Sequence, residues 1–191
     1  MSGHLLSVLA TKSFIDAKGK TTAVKLTGYP NQTTISGFTI KNGVGDYNLN
    51  GKGGGIVVEP GVNASIENCI LTDNEDGAMF FGDSSEVKVS NTLVFGNDRS
   101  FIFGAGEANF VNCTFVEEDQ ASEIGSDAKL NFINTIFMKY WFTNIDKYNG
   151  VTVYPGTHLQ GMLPVKNRTL DDIHELDFYS VNLYKIKMGD I

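Results

Sequence analysis

An all-β solenoid is the fold class this sequence predicts, and three observations predict it. The first is a phrase written five times: Ile35-Ser36-Gly37-Phe38-Thr39-Ile40, Ile66-Glu67-Asn68-Cys69-Ile70-Leu71, Val89-Ser90-Asn91-Thr92-Leu93-Val94, Phe110-Val111-Asn112-Cys113-Thr114-Phe115 and Phe132-Ile133-Asn134-Thr135-Ile136-Phe137. Its third residue falls at 37, 68, 91, 112 and 134, so the steps are 31, 23, 21 and 22 residues. A period near 22 is the mark of stacked rungs. The second is a shorter apolar cluster ahead of each phrase, followed within a few residues by glycine. The third is the local grammar of alternation, β-branched and aromatic residues, and Gly or Asn punctuation, which describes short strands. A 22-residue unit also leaves no room for two helices and their turns.

The elements follow in order. Residues 1–20 fit the repeat poorly, and Val8 to Ile15 is expected to form a first strand and cap, because a solenoid must cover its first open rung. The early clusters read Val24-Lys25-Leu26, Ile56-Val57-Val58, Met79-Phe80-Phe81, Ser100-Phe101-Ile102 and Ser122-Glu123-Ile124, with Gly28, Gly61, Gly82, Gly104 and Gly125 after them. Asparagine at the anchor in four of five phrases suits a sharp bend, and its amide can hydrogen-bond to its copies one rung away in a ladder. That reading buries Asn112. The next position (Phe38, Cys69, Thr92, Cys113, Thr135) is expected to form an inward stack of mostly small side chains. The long step holds an insertion, Val44 to Lys52, read as a protruding loop and a candidate binding element, or equally as a tolerated insertion.

After Met138 the pattern weakens. Val151 to Gly156 reads as a further strand and turn, Thr169 to Leu176 as a short helix, and Phe178 to Ile186 as a strand in a capping tail. The expected organisation is a solenoid over 1–160, with a cap at 1–20 and clear repeats at 21–140, then a tail at 161–191 that covers the last rung or lies along the side.

The phrases Ile35 to Gly43, Gly53-Gly54-Gly55-Ile56 and Ile66-Glu67-Asn68-Cys69 resemble the rungs of right-handed parallel β-helix proteins of the pectate-lyase-like superfamily. They are most similar to rungs of bacterial surface and secreted polysaccharide-associated members. The resemblance covers about residues 21–140 and implies a right-handed, single-stranded parallel β-helix of about six rungs of 21–23 residues. It is specific for the fold and nearly silent on activity.

Composition excludes more than it selects. There are 15 basic and 22 acidic residues, a net charge of −7, which argues against a nucleic-acid partner or an anionic membrane surface. No apolar run approaches the roughly 20 residues of a membrane span. The start, Met1 to Ala10, is a poor signal peptide, so the chain reads as cytoplasmic as it stands and extracellular if it is part of a longer protein. Cys69 and Cys113 lie two copies apart, about 9–10 Å at the usual strand spacing, beyond the reach of a disulfide. Both are expected as buried free thiols.

For chemistry, the resemblance implies a site on the outer face of the first sheet and its turns. The outward residues assigned there are Lys25, Val57, Phe80, Phe101 and Glu123, with Phe103 and Glu59 nearby. A lyase or hydrolase needs clustered carboxylates, often with a cationic base. This face shows an apolar column instead, so no catalytic residue is assigned firmly; the candidates are Glu59, Asp83, Glu123 and Asp127, with Asp46 beside them. Val57, Phe80, Phe101 and Phe103 are the candidate binding or interface residues: such a patch is covered by the tail, self-associates, or stacks on sugar rings. A second column, Asp73 to Asp76, then Asn97 and Asp98, then Glu118 and Asp119, offers oxygen ligands. It makes Asp73, Asp76, Asp98 and Asp119 calcium candidates against the plainer reading of a solvated turn edge.

No cofactor is called for. His4, His158 and His174 lack metal-ligand spacing, no GxSxG or phosphate loop occurs, and regular Thr-x-Thr rows are missing. The function expected is a non-catalytic β-helix module, structural, interacting or carbohydrate-binding, that self-associates through an apolar outer face. The alternative is a small polysaccharide lyase, glycoside hydrolase or epimerase.

Overall fold

A computed structural model describes residues 13–28, 32–46, 51–116 and 122–138, with the backbone of strands Val151–Val153, His158–Gln160 and Lys187–Met188. Among these residues the chain is built of strands joined in parallel ladders. Three strips of sheet run along a solenoid of five complete turns.

The first sheet is formed by β2 (Val24–Leu26), β5 (Ile56–Val58), β8 (Met79–Phe81) and the opening residues of β11 (Phe101–Val111) and β13 (Glu123–Ile133). The second is β3 (Thr33–Ser36), β6 (Asn63–Glu67), β9 (Ser85–Ser90) and the later residues of β11 and β13, continued by β15 (Val151–Val153) and β17 (Lys187–Met188). The third runs β1 (Ser13–Asp16), β4 (Phe38–Lys41), β7 (Ile70–Thr72), β10 (Leu93–Phe95), β12 (Thr114–Val116), β14 (Ile136–Met138) and β16 (His158–Gln160). Thus β1 is a rung strand, paired Ser13↔Phe38 to Asp16↔Lys41, inside the region expected to cap. The helix expected at Thr169–Leu176 and the strand at Phe178–Ile186 lie outside the described residues.

The repeated phrase is the bend from second to third sheet. Its anchors Gly37, Asn68, Asn91, Asn112 and Asn134 have φ of 81°, 53°, 49°, 54° and 47°, the left-handed region that Gly and Asn enter most easily. This explains the residue choice. The side chains point out, however: Asn68, Asn91 and Asn112 are exposed, which corrects the expectation that Asn112 is buried. Each donates to the preceding rung, Asn91 to Asn68 at 3.3 Å, Asn112 to Asn91 at 3.2 Å and Asn134 to Asn112 at 2.7 Å.

The residue after each anchor turns inward as expected. Cys69, Thr92, Cys113 and Thr135 are all buried, and both cysteines are free thiols. Burial pushes the Cys113 thiol up to about 12.

The buried amides sit at a different bend. Asn74 and Asn97 follow β7 and β10 and are 1% and 2% exposed. Asn74 Nδ2 donates to Asn97 Oδ1 at 2.9 Å and to the Ile40 and Thr72 carbonyls, while Asn97 Nδ2 serves the Leu71 and Phe95 carbonyls. Both buried amides are thus fully partnered, as burial demands, and each ties its own turn to the preceding rung.

The interior is a stack of like on like. Ile40, Leu71, Val94, Phe115 and Phe137 form one inward row, ending in rings 4.9 Å apart and within 8° of parallel. Ile66, Val89, Phe110 and Phe132 form another, with Phe110 and Phe132 stacked at 5.0 Å. Aromatics thus fill the later rungs and aliphatics the earlier ones.

Candidate functional site

The outer face of the first sheet is fixed by register. Lys25, Val57, Phe80, Ile102 and Glu123 stand in one row, rung by rung. The sequence reading placed Phe101 in this row and Phe103 beside it; both face the core instead, 0% and 1% exposed, and the outward residue is Ile102. The slip is a single residue, enough to invert a strand. Glycine spacing would have set it right: Phe81-Gly82, Phe103-Gly104 and Ile124-Gly125 share one pattern. At this bend a Cβ on Gly125 would lie 1.8 Å from the Gly104 carbonyl oxygen, so no side chain fits.

The middle of the row is not open. Val57 is fully buried, Ile102 is 5% exposed, and Phe80 is half-buried. The cover comes from the chain just after the insertion. Asp46 and Lys52 form an antiparallel bridge, with Asp46 N–H donating to the Lys52 carbonyl at 2.9 Å and Gly51 N–H to the Asp46 carbonyl at 2.9 Å. From there the chain lies against the face so closely that a Cβ on Gly53 would sit 2.6 Å from Val57 Cγ2 and 2.7 Å from Phe80 Cβ. Gly53 also has φ of 78°. Gly53, which follows the insertion, therefore lies over Val57 and the edge of Phe80, while residues 47–50 of the loop lie outside the described residues.

Ion pairs hold both ends. Lys25 Nζ lies 3.1 Å from Asp46 and 2.9 Å from Glu59; the two carboxylates raise its pKa, Glu59 foremost through its hydrogen bond. Lys52 Nζ lies 3.1 Å from Glu123, which also binds the Arg99 guanidinium. Partial burial works to raise the Glu123 carboxyl, but Lys52 and Arg99 outweigh it and hold the group below the usual carboxylate range. Of the catalytic candidates, then, Glu59 and Glu123 are each engaged by cations. Asp83 is exposed, with Oδ1 packed over Gly104, and Asp127 is exposed on β13. Among the described residues no group of three His, Cys, Asp or Glu side chains converges to hold a metal.

The acidic turn column separates in the same way. Asn74 and Asn97 go inside; Asp73 and Asp76 are exposed, and Asp98 accepts the Asp76 N–H at 3.0 Å. Glu118 and Asp119 lie outside the described residues.

The second sheet carries an outward surface that the sequence reading did not single out. Lys88, Asn109 and Asn131 form one row, which ends at Ser65, buried at 4% exposure under Gln32, and Asn63, Glu86, Glu107 and Lys129 form the next. Asn131 Nδ2 donates to Asn109 Oδ1 at 2.8 Å, and Asn109 Nδ2 to Glu107 Oε1 at 3.2 Å, so the amides are pre-ordered. Beside them is an open cavity of about 300 Å³ whose lining includes Ser84, Glu86, Glu107, Asp127 and Lys129. Alternation within β9, β11 and β13 was the available signal. Large exposed apolar side chains occur on the third sheet, at Phe14 and Phe95, rather than on the first.

A family model described as right handed beta helix region matches residues 14–160. The chain belongs to the right-handed β-helix family, and its sheet topology accords with the resemblance to pectate-lyase-like proteins. Searches of curated proteins and of solved structures returned no match. No helix among the described residues is long and apolar enough to cross a membrane.

Proposed function

We propose that this protein is a non-catalytic interaction module that binds an extended polar ligand, with carbohydrate the ligand class, along its second sheet. The observation that carries this reading is the outward row Lys88, Asn109 and Asn131, its amides pre-ordered, beside the cavity lined by Glu107, Asp127 and Lys129. Rungs repeat at about 4.8 Å, so the surface presents polar groups at a regular interval. A polymer with its own repeat can meet that pattern at several rungs at once, and multiple weak contacts on one rigid support add without a loop closing over them. Amides and carboxylates offer both donors and acceptors to hydroxyl groups.

The non-catalytic part is supported by the state of the carboxylates on the first sheet. Glu59 and Glu123 are held by Lys25, Lys52 and Arg99. A general acid needs a raised pKa, and Glu123 is shifted the other way. Self-association is part of the same proposal, yet Gly53 lies over Val57 and Phe80, and Val57 and Ile102 are buried, so this column offers little apolar area for it.

The test is a panel of neutral and uronate-containing polysaccharides assayed for retention and for cleavage together. Retention that falls at least about tenfold with the double change Asn109→Ala/Asn131→Ala, with no new reducing ends or unsaturated products, supports the reading. Cleavage lost on Glu123→Gln or Asp127→Asn contradicts it and favours a lyase or hydrolase.

A further inference from the structure

We propose that Glu107 sets the ligand specificity of the second sheet, so that the surface takes an uncharged, hydroxyl-rich glycan in preference to a polyuronate. This deepens the reading of that sheet as the binding face and rests on it. Three observations meet at Glu107. The first is a chain of forced choices among side chains. An ionised carboxylate only accepts hydrogen bonds, so the amide beside it must turn an N–H toward it. Asn109 Nδ2 accordingly donates to Glu107 Oε1 at 3.2 Å. Asn109 Oδ1 is then the atom offered to the following rung, where Asn131 Nδ2 donates to it at 2.8 Å and also reaches Glu107 Oε1 at 3.5 Å. Turning either amide over would set oxygen against oxygen, so one carboxylate fixes both.

The second observation is what these bonds leave for a ligand. Asn131 spends its N–H groups on Asn109 and Glu107, so the surface presents mainly acceptors, the amide and carboxylate oxygens. Hydroxyl groups can donate to them; a uronate carboxylate has no hydrogen to give. The third is charge. Glu86 and Glu107 stand side by side in register, their backbones about 4.8 Å apart, and line the cavity together with Asp127. The cations nearby are Lys129, in register with Glu107, and Lys88, in register with Asn109. Among the described residues neither lysine forms an ion pair with Glu86 or Glu107. Three carboxylates against two ammonium groups leave the surface net negative, in a chain whose own net charge is −7. An anionic polymer laid along it meets like charge, which works against binding.

The experiment titrates the full chain with each uronate polysaccharide of the panel and with its carboxyl-reduced form, which keeps length and linkage but carries no charge. The wild type is expected to bind the reduced form at least about tenfold more tightly. Glu107→Gln keeps the side-chain shape while removing the charge and the fixed acceptor, and should narrow that ratio to about threefold or less. The ratio is the readout, because a merely structural loss lowers affinity for both forms together. The wild-type ratio also tests the preference without any variant. Equal binding of the two forms by the wild type, tighter binding of the uronate, or a ratio that Glu107→Gln leaves unchanged overturns the proposal while the second sheet stands as the binding face. If neither form of any polymer binds, the binding face and this proposal fall together.

Discussion

Asn74 and Asn97 show how much one amide does when the chain turns it inward. Each closes carbonyls from its own turn and from the rung before, and each is buried. Asn97→Ala leaves buried carbonyls open and is expected to cost about 1–3 kcal/mol, read as a shift in the urea midpoint at constant slope. Asn112→Ala, at an exposed bend, keeps its neighbours in water; its cost is that of a left-handed φ without asparagine, about 1 kcal/mol. The two measurements rank the inner and outer rows. Glu123 adds a pH dependence whose sign follows from its depressed pKa. The wild type exceeds Glu123→Gln in stability above the unfolded carboxylate pKa, about 4.3, and loses that advantage as pH falls through the folded value. Because the pair is partly exposed, the plateau difference should stay below about 1 kcal/mol. Thermal melts from pH 7 to pH 3 check it; an advantage that grows on acidification contradicts the ion pairs.

At the scale of elements, the rungs were far more legible than their faces. The period, the bend residues and the inward Cys–Thr row could be read because they answer to local rules: a left-handed φ wants Gly or Asn, and a narrow interior wants small side chains. The face of β11 was misread, because Ser100-Phe101-Ile102-Phe103 is apolar at every position after the first and alternation cannot choose between registers. The cover that Gly53 lays over Val57 and Phe80 was not legible, for the sequence marked only an insertion ahead of it. What decides its path is the contact of Gly53 with Val57 and Phe80, between residues of adjacent rungs whose side chains meet only in the fold. Gly54 is the sharper test of this element. A Cβ there would lie 2.2 Å from the Glu75 carbonyl oxygen and 2.6 Å from that of Gly43, both backbone atoms that cannot step aside. Gly54→Ala is expected to destabilise by roughly 1–3 kcal/mol, seen in the same denaturation experiment. Gly28→Ala, with open space around it but φ of 100°, should cost strain alone.

Among the described residues the molecule is a continuous core with its polar rows on the outside. Phe101, Phe110, Phe115, Phe132 and Phe137 join successive rungs through ring contacts, so the later turns should unfold together. Phe110→Ala, at the centre of that group, is expected to cost about 3–5 kcal/mol. Function on such a scaffold is carried by rows of outward side chains, and these differ face by face: ion-paired and covered on the first sheet, polar and open on the second. The fold alone does not choose among binding, catalysis and scaffolding, so the distinction rests on what the open face does with a ligand. The most direct measurement is isothermal titration of the protein with the polysaccharides it retains, followed by product analysis of the same samples. The account predicts saturable binding that Asn109→Ala/Asn131→Ala weakens and Glu123→Gln leaves in place, with the polymer recovered intact. Shortened polymer, formed by the wild type and not by Glu123→Gln, would contradict it.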